Sequence, residues 1–101
     1  MLPDQDLVTV SQRLRDVLGD ARGKIRVADA LLVAGFERRT QLRAELVGLA
    51  MRQLGWERCR CRFDGSLESA FSRGSALERE AILEVARGKN SGVLVLTRRA
   101  P

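Results

Sequence analysis

The chain has 101 residues, of which 45% are apolar and 31% charged, with a formal charge of +5, and this composition predicts one small globular domain and argues against disorder. No apolar run approaches the roughly 20 residues that cross a bilayer and no secretory signal is visible, so we expect a cytoplasmic protein with no membrane partner. With no histidine, two cysteines, and no Walker or dinucleotide-binding glycine motif, the sequence excludes histidine-dependent catalysis and a four-ligand zinc site, so we expect no enzyme activity, cofactor or metal.

The first third of the chain predicts two helices with a short extended piece between them. Apolar residues at helical spacing indicate a helix over residues 6–18, within an N-terminal segment 1–19. The sequence KIRVADALLVAGF then indicates an extended piece at 24–26 and a short, largely buried helix at 27–33 that ends near Gly35.

A third helix, in the sequence ERRTQLRAELVGLAMRQLGW, is the clearest of the chain. We expect it to begin after Thr40, a favourable N-cap residue, and to end at Gly55. Gly48 in its interior costs roughly 1 kcal/mol relative to alanine, and it permits a close approach of the backbone either to a neighbouring helix or to a ligand. The apolar stripe that we expect to face the core consists of Leu42, Leu46, Leu49, Ala50 and Leu54.

Residues 56–73, WERCRCRFDGSLESAFSR, predict a β-hairpin. Because side chains alternate between the faces of a strand, its first strand presents an arginine row on one face and an apolar row on the other. The arginine row is Arg58, Arg60 and Arg62, and the apolar row is Cys59, Cys61 and Phe63. We expect the apolar row to face the core, with both cysteines buried as small apolar residues rather than bridged or bound to metal, and Trp56 to be a core anchor.

The turn of this hairpin decides which residues pair across it. A two-residue turn at Asp64-Gly65 would pair Cys61 with Glu68 and place a charge on the apolar face. A three-residue loop at 64–66 puts every apolar residue on the core side, so we predict the longer loop. It pairs Phe63 with Leu67, Cys61 with Ser69 and Cys59 with Phe71, and it brings Arg62 to Glu68 on the outside.

The last segment, 75–99, is predicted to hold a helix and a strand. Ser75 followed by Glu78 is a capping-box pattern, which predicts a helix through about residue 87 with Gly88 as its stop. The residues Asn-Ser-Gly at 90–92 predict a turn, and the apolar run at 93–96 predicts a buried strand.

The order of these elements predicts a single α+β domain, a winged helix, with a helix-turn-helix at 24–55, a hairpin wing at 56–73 and the additional helix and strand at 75–99. The stretch 27–74 resembles the winged-helix C-terminal region of phage and plasmid replication proteins of the virulence-associated-protein-E type. The matching residues are Arg39-Thr40, Leu54-Gly55-Trp56-Glu57-Arg58 and Asp64-Gly65.

That resemblance covers about half of the chain. It implies DNA binding in the replication or transcriptional regulation of a phage, plasmid or other mobile element. The replication proteins carry a P-loop ATPase before this region, which the present sequence lacks, so neither ATPase nor helicase activity carries over.

The cations favour a nucleic-acid partner, because 16 of the 18 are arginine, whose planar fork matches phosphates and guanine edges. A GC-rich genome would produce the same bias. We predict binding to double-stranded DNA, with the third helix in the major groove and the wing on phosphates. The predicted contacts are Arg38, Arg39, Thr40, Gln41, Arg43, Arg52, Arg58, Arg60 and Arg62.

Three alternatives for the partner stay open at this point. The chain could be a protein-interaction module that binds or inhibits an acidic host partner. It could bind RNA in place of duplex DNA. The C-terminal helix and strand could also form a homodimer contact, which would suit a free-standing DNA-binding protein.

Overall fold

The computed structural model describes residues 3–88 and 92–100, with side chains described from residue 7 onward. Its elements are α1 (Pro3–Leu18), β1 (Gly23–Arg26), α2 (Val27–Val33), α3 (Gln41–Gln53), β2 (Glu57–Phe63), β3 (Ser66–Arg73), a 3-10 turn (Glu78–Glu80), β4 (Ile82–Arg87) and β5 (Leu94–Arg99). The predicted elements α1, β1, α2 and α3 are therefore confirmed, with α1 beginning at Pro3 instead of residue 6. Over this described part of the chain, every helix is too short or too polar to span a bilayer.

The five strands form one mixed sheet in the order β2-β3-β1-β4-β5. Strand β1 pairs antiparallel with β3 and parallel with β4, whereas β2–β3 and β4–β5 are antiparallel hairpins. The fold class α+β is confirmed. The three helices pack on one face of the sheet, and this leaves β2 and β5 as its two edges.

The main core lies between the helices and the sheet. Its largest fully buried side chains are Leu14, Ile25, Val47, Met51, Trp56, Phe71 and Leu83. Trp56 is 1% exposed at the junction of α3 and β2, so its prediction as a core anchor is confirmed. This junction sets the distance between α3 and the edge strand β2.

Both predicted ends of α3 are confirmed, but its predicted core face is confirmed only for Leu46, Ala50 and Leu54. The Thr40 hydroxyl accepts a hydrogen bond from the Arg43 backbone at 3.2 Å, and Gly55 adopts a φ of 91° just past the helix. Leu42 and Leu49 are 66% and 43% exposed, respectively. The buried side chains are Val47, Ala50 and Met51, with Leu46 and Leu54 partly buried beside them. Residues three and four apart share a helix face, so Val47, Ala50 and Met51 define the observed core face. This face is rotated by about a quarter turn about the helix axis from the predicted stripe.

The hairpin β2–β3 closes through the two-residue turn Asp64-Gly65, so the predicted three-residue loop is wrong. Both turn residues have positive φ, 55° for Asp64 and 88° for Gly65, as in the type I′ turns that match strand twist. The resulting register pairs Cys61 with Glu68 and Arg62 with Leu67. The predicted contact of Arg62 with Glu68 is therefore wrong as well, since the two side chains lie on opposite faces.

The arginine row and the apolar row do alternate as predicted, but the apolar row does not face the main core. It faces away from the helices, where it packs with Ala70 and Ile82 in a second, smaller cluster. Phe63 is 1% exposed because Lys24 and Arg26 cover its ring, with Nζ at 5.4 Å and Cζ at 4.4 Å from the centroid. Cys59 and Cys61 are half-buried free thiols of this cluster.

The charge that argued against the shorter turn is neutralised on the same face. Glu68 accepts a hydrogen bond from Arg26 Nε at 3.1 Å, and Arg26 Nη1 reaches Glu84 at 3.4 Å. A carboxylate beside apolar residues is tolerated when a cation pairs with it. The preference of Asp-Gly for a two-residue turn therefore outweighs the alternation of apolar and polar residues, from which the longer loop was predicted.

The predicted helix at 75–87 is wrong. The capping box itself forms, since the Ser75 backbone donates to Glu78 at 2.8 Å and the Glu78 backbone donates to the Ser75 hydroxyl at 3.3 Å. It closes only the 3-10 turn, after which Ile82–Arg87 enters the sheet between β1 and β5. Long-range pairing on two sides prevails over the local helix signal.

The last strand also differs from its prediction. It runs over Leu94–Arg99 at the sheet edge and is only half buried, with Val95 48% exposed. Gly88 does mark the end of the preceding element, and its N–H donates to the Val93 carbonyl at 2.8 Å. Of the predicted turn at 90–92, residues 90 and 91 lie outside the described residues.

Candidate functional site

A groove of about 590 Å³ runs between α3 and the edge strand β2. We call it the α3–β2 groove. Its lining residues come from the loop before α3, from one side of α3 and from β2. They are Arg39, Thr40, Gln41, Ala44, Glu45, Gly48, Arg52 and Arg58.

The helical lining follows from the period of α3. Gln41, Ala44, Gly48 and Arg52 are three or four residues apart, so they share one side of the helix, next to the buried side. On β2, the arginine row faces the helix side of the sheet, because Arg58 pairs with Phe71, whose ring belongs to the main core. Helix and strand thus present guanidinium groups to a common space.

The excess charge of the protein is concentrated in these two elements and the loop before them. Residues 38–62 contain seven arginines and two glutamates, so their formal charge of +5 equals that of the whole chain. The rest of the chain balances at eleven cations and eleven acids. Residues 38–62 therefore carry the whole excess of positive charge, and the remaining residues are neutral on balance.

Among the residues whose side chains are described, none of these seven arginines forms an ion pair with a carboxylate. Within the described ranges, each ion pair uses an arginine from elsewhere in the chain, namely Arg22, Arg26, Arg79, Arg87 or Arg99. Glu45, the acid in the groove, accepts a hydrogen bond from Gln41 Nε2 at 3.3 Å instead. Unneutralised cations around one groove create a field that attracts anions.

Five of the nine predicted site residues line the groove: Arg39, Thr40, Gln41, Arg52 and Arg58. Thr40 uses its hydroxyl as the cap of α3. Arg52 Nε donates to the Gly48 carbonyl at 3.3 Å, which holds the side chain along the helix. Arg58 lies over the Phe71 ring, with Cζ 5.6 Å from the centroid.

The other four predicted residues lie outside the lining. Arg43 turns back onto its own loop, where Nη1 donates to the Arg38 carbonyl at 3.0 Å and Cζ lies 5.2 Å from the Phe36 centroid. Arg62 Nη1 donates to the Gly65 carbonyl at 3.2 Å. Arg60 is exposed on the same face of β2 as Arg58, so it extends the cationic surface beyond the groove.

The predicted contacts do not include Ala44, Glu45 and Gly48, although the sequence marks Gly48 as a position of close approach to a helix or a ligand. Their spacing from Gln41 was the available signal, since positions three, four and seven residues further lie on the same side of a helix. A Cβ added at Gly48 would meet no atom within 4 Å, so no neighbouring helix among the described residues requires glycine at this position.

On the opposite face of the sheet, carboxylates are paired with arginines. Arg99 donates to both Asp64 and Glu84, and these bonds hold the pKa of each carboxyl below its ordinary value. Cys59 and Cys61 have their Sγ atoms 3.3 Å apart, and burial raises the pKa of Cys61 to about 11, so its thiol is protonated at neutral pH. No group of three metal-ligating side chains occurs in the described residues.

No protein-family model, curated protein or solved structure matches this chain. The resemblance to the winged-helix region of replication proteins therefore stays a prediction. What the molecule does has to be argued from the groove and its charge.

Proposed function

We propose that the chain is a winged-helix domain that binds double-stranded DNA without catalysing a reaction. The order α1-β1-α2-α3-β2-β3, with β1 beside β3, is that of a winged helix and supports this assignment. In such a domain the second helix of the helix-turn-helix, here α3, enters the major groove. The hairpin β2–β3 is the wing that contacts phosphates.

The observation that carries the proposal is the unneutralised charge around the α3–β2 groove. Arg39, Arg52 and Arg58 reach it from three parts of the chain without a carboxylate partner among the described residues. Arginine near the N-terminus of a helix also opposes the helix macrodipole, whereas a phosphate there is favoured by it. The regularly spaced phosphates of a duplex neutralise these arginines and also interact favourably with the N-terminus of the helix.

Base recognition falls to the N-terminal part of α3. Gln41 carries an amide of the type that binds the adenine edge through two hydrogen bonds, and arginine binds the guanine edge in the same way. The arginines on β2 carry no sequence information when they contact phosphates, but they fix the register of the helix on the duplex. Affinity should then consist of a large salt-dependent part and a smaller sequence-dependent part.

A cytoplasmic location and a role in replication, transcriptional control or a mobile element remain part of the proposal, and the link to a phage or plasmid rests on the resemblance alone. A homodimer is a further proposal, now restricted to β5, which lies at the sheet edge and has backbone groups directed outward. Sedimentation at several protein concentrations distinguishes a monomer from a dimer.

The experiment is a fluorescence anisotropy titration of a random duplex at about 50 mM and about 200 mM salt. The wild type is compared with a triple variant, Arg58→Ala, Arg60→Ala and Arg62→Ala, whose folding is checked by circular dichroism. We expect the triple variant to lose at least about tenfold in affinity at the lower salt. Unchanged affinity removes the wing from the mechanism.

One observation favours a second candidate function, a protein-interaction module. Leu42 and Leu49 are 66% and 43% exposed on the outer side of α3, and together they present an apolar pair to a partner. Absence of duplex binding at about 50 mM salt favours this alternative. Competition between duplex DNA and structured RNA tests the RNA alternative in the same assay.

A further inference from the structure

Gly48 is the least expected residue of α3. It lies in the middle of the helix, where glycine is less favourable than alanine. Its backbone is shielded from water, yet a Cβ at this position would meet nothing within 4 Å. Neither packing nor backbone conformation within the described residues accounts for the glycine, since its φ is not in the positive range.

The position of Gly48 indicates what the missing side chain leaves room for. The residue lines the α3–β2 groove one turn from Ala44 and one turn from Arg52, and Arg58 lines the groove from the strand. Ala44 and Gly48 are small residues one helical turn apart on the groove side of α3. They leave a shallow depression in the helix surface between cationic side chains. A ligand in the groove can therefore approach the helix closely at this point when the Arg52 side chain, which donates to the Gly48 carbonyl at 3.3 Å, turns outward to it.

We propose that one sugar–phosphate strand of the bound duplex runs along the α3–β2 groove and makes its closest approach to α3 at Gly48. This inference rests on the proposed DNA-binding function and adds the path of the backbone. Arg39, Arg52 and Arg58 hold the phosphates of that strand. The outer side of α3 then faces the major groove.

The balance of charge in the groove favours the backbone over base edges. The groove contains three guanidinium groups and one carboxylate, that of Glu45, which is drawn to the amide of Gln41. Three guanidinium groups in one groove can each bind a phosphate of the same strand. Contacts to phosphate do not depend on the base sequence of the duplex. The proposal therefore predicts that variants of Gly48 and of the groove arginines weaken binding to all duplexes alike, whereas base recognition stays with Gln41 at the N-terminal end of α3.

The test titrates two unrelated fluorescein-labelled duplexes, each of about two helical turns, with the wild type, Gly48→Ala, Gly48→Leu and Arg52→Ala. Gln12→Leu is the matched control, because Gln12 is an exposed helical residue of α1, outside both α3 and the groove lining. Melting temperatures are measured for every variant.

Gly48→Ala is expected to raise the melting temperature by about 4–8 °C, since alanine is the better helix former, while lowering affinity about threefold. Gly48→Leu is expected to lower affinity at least about tenfold because its side chain fills the path of the strand. Gln12→Leu should bind as the wild type does. Arg52→Ala should reduce the slope of log K against log salt by about one on both duplexes.

A folded Gly48→Leu protein that binds as tightly as the wild type overturns the strand path and leaves DNA binding itself intact. If the leucine variant does not fold, a more stable Gly48→Ala with undiminished affinity overturns it in the same way. An Arg52→Ala variant that alters the preference between duplexes contradicts a phosphate contact. A wild type that binds neither duplex at about 50 mM salt overturns the strand path and the proposed function together.

Discussion

The guanidinium of Arg73 stacks on the indole of Trp56, with Cζ 4.4 Å from the ring centroid. The same group donates to the carbonyl of Leu54 at 3.0 Å, just after α3, and to that of Gly19 at 2.6 Å, just after α1. A cation at the C-terminal ends of two helices is electrostatically favoured. Arg73 thereby ties β3 to both helices and fixes the position of β2 beside α3, on which the groove depends.

Replacing Arg73 should destabilise the protein even where charge is retained. We expect Arg73→Ala to lower the free energy of unfolding by about 2–4 kcal/mol, because several partly buried carbonyls lose a charged donor and Trp56 loses its cover. Arg73→Lys should recover less than half of this loss, since an ammonium cannot stack and bond in several directions at once. Urea unfolding measures both values. A loss below about 0.5 kcal/mol for Arg73→Ala, as expected for a surface control such as Arg15→Ala, contradicts this role.

The carboxylate of Glu45 should oppose binding of any anion in the groove. We expect Glu45→Gln to raise affinity for duplex DNA about three- to tenfold at low salt, with the gain shrinking as salt increases. Glu80→Gln, an exposed acid distant from the groove lining, is the matched control and should change affinity much less. Equal gains for both variants would mean that net charge alone governs binding.

Acid should weaken the fold through the ion pairs on the opposite face of the sheet. The hydrogen bonds from Arg99 lower the pKa of Asp64 and of Glu84 in the folded protein. Their stabilisation is therefore complete above the unfolded pKa values, about 3.9 and 4.3, and is lost as pH falls through the lower folded values. Arg99→Ala should flatten the decline of melting temperature between about pH 5 and pH 2. A variant that declines as steeply as the wild type contradicts this assignment.

The turn of the hairpin should tolerate little change at Gly65. Its φ of 88° is strained for any residue with a Cβ, although nothing lies within 4 Å of the position. We expect Gly65→Val to destabilise the protein by about 1–2 kcal/mol, and Ser66→Ala, as control, by less than about 0.5 kcal/mol. Chemical denaturation of the two variants measures the difference. Equal stability of the two variants would contradict the conclusion that the positive φ at position 65 requires glycine.

Features set by adjacent residues could be predicted from the sequence. The Thr40 cap and the Gly55 stop depend on a few neighbouring residues, and both were predicted. The Ser75–Glu78 capping box was also recognised and does form. The helix predicted from it was wrong because β1, distant in sequence, and β5, the next strand, pair with the following residues and draw them into the sheet.

Features set by tertiary contacts could be predicted only in part. The negative charge of Glu68 on the apolar face led the prediction away from the correct hairpin register. The ion pair that neutralises this charge could not be predicted locally, because its partner Arg26 lies 42 residues away in sequence. The arginines of α3 and β2 were predicted to act together, but Gly48 and Glu45 enter the site only once the groove between the two elements is known. The rotation of α3 likewise depends on which side meets the other helices, a choice that its many apolar residues leave open.

The central claim is that the guanidinium groups of the α3–β2 groove hold a duplex. The most direct measurement is the salt dependence of duplex affinity for a groove variant, Arg39→Ala, Arg52→Ala and Arg58→Ala, beside a control of equal charge, Arg15→Ala, Arg87→Ala and Arg98→Ala. We predict that the groove variant loses about three from the slope of log K against log salt and at least about a hundredfold in affinity at low salt, while the control stays within about fivefold of the wild type. Equal losses for the two variants, or none for the groove variant, would contradict the account.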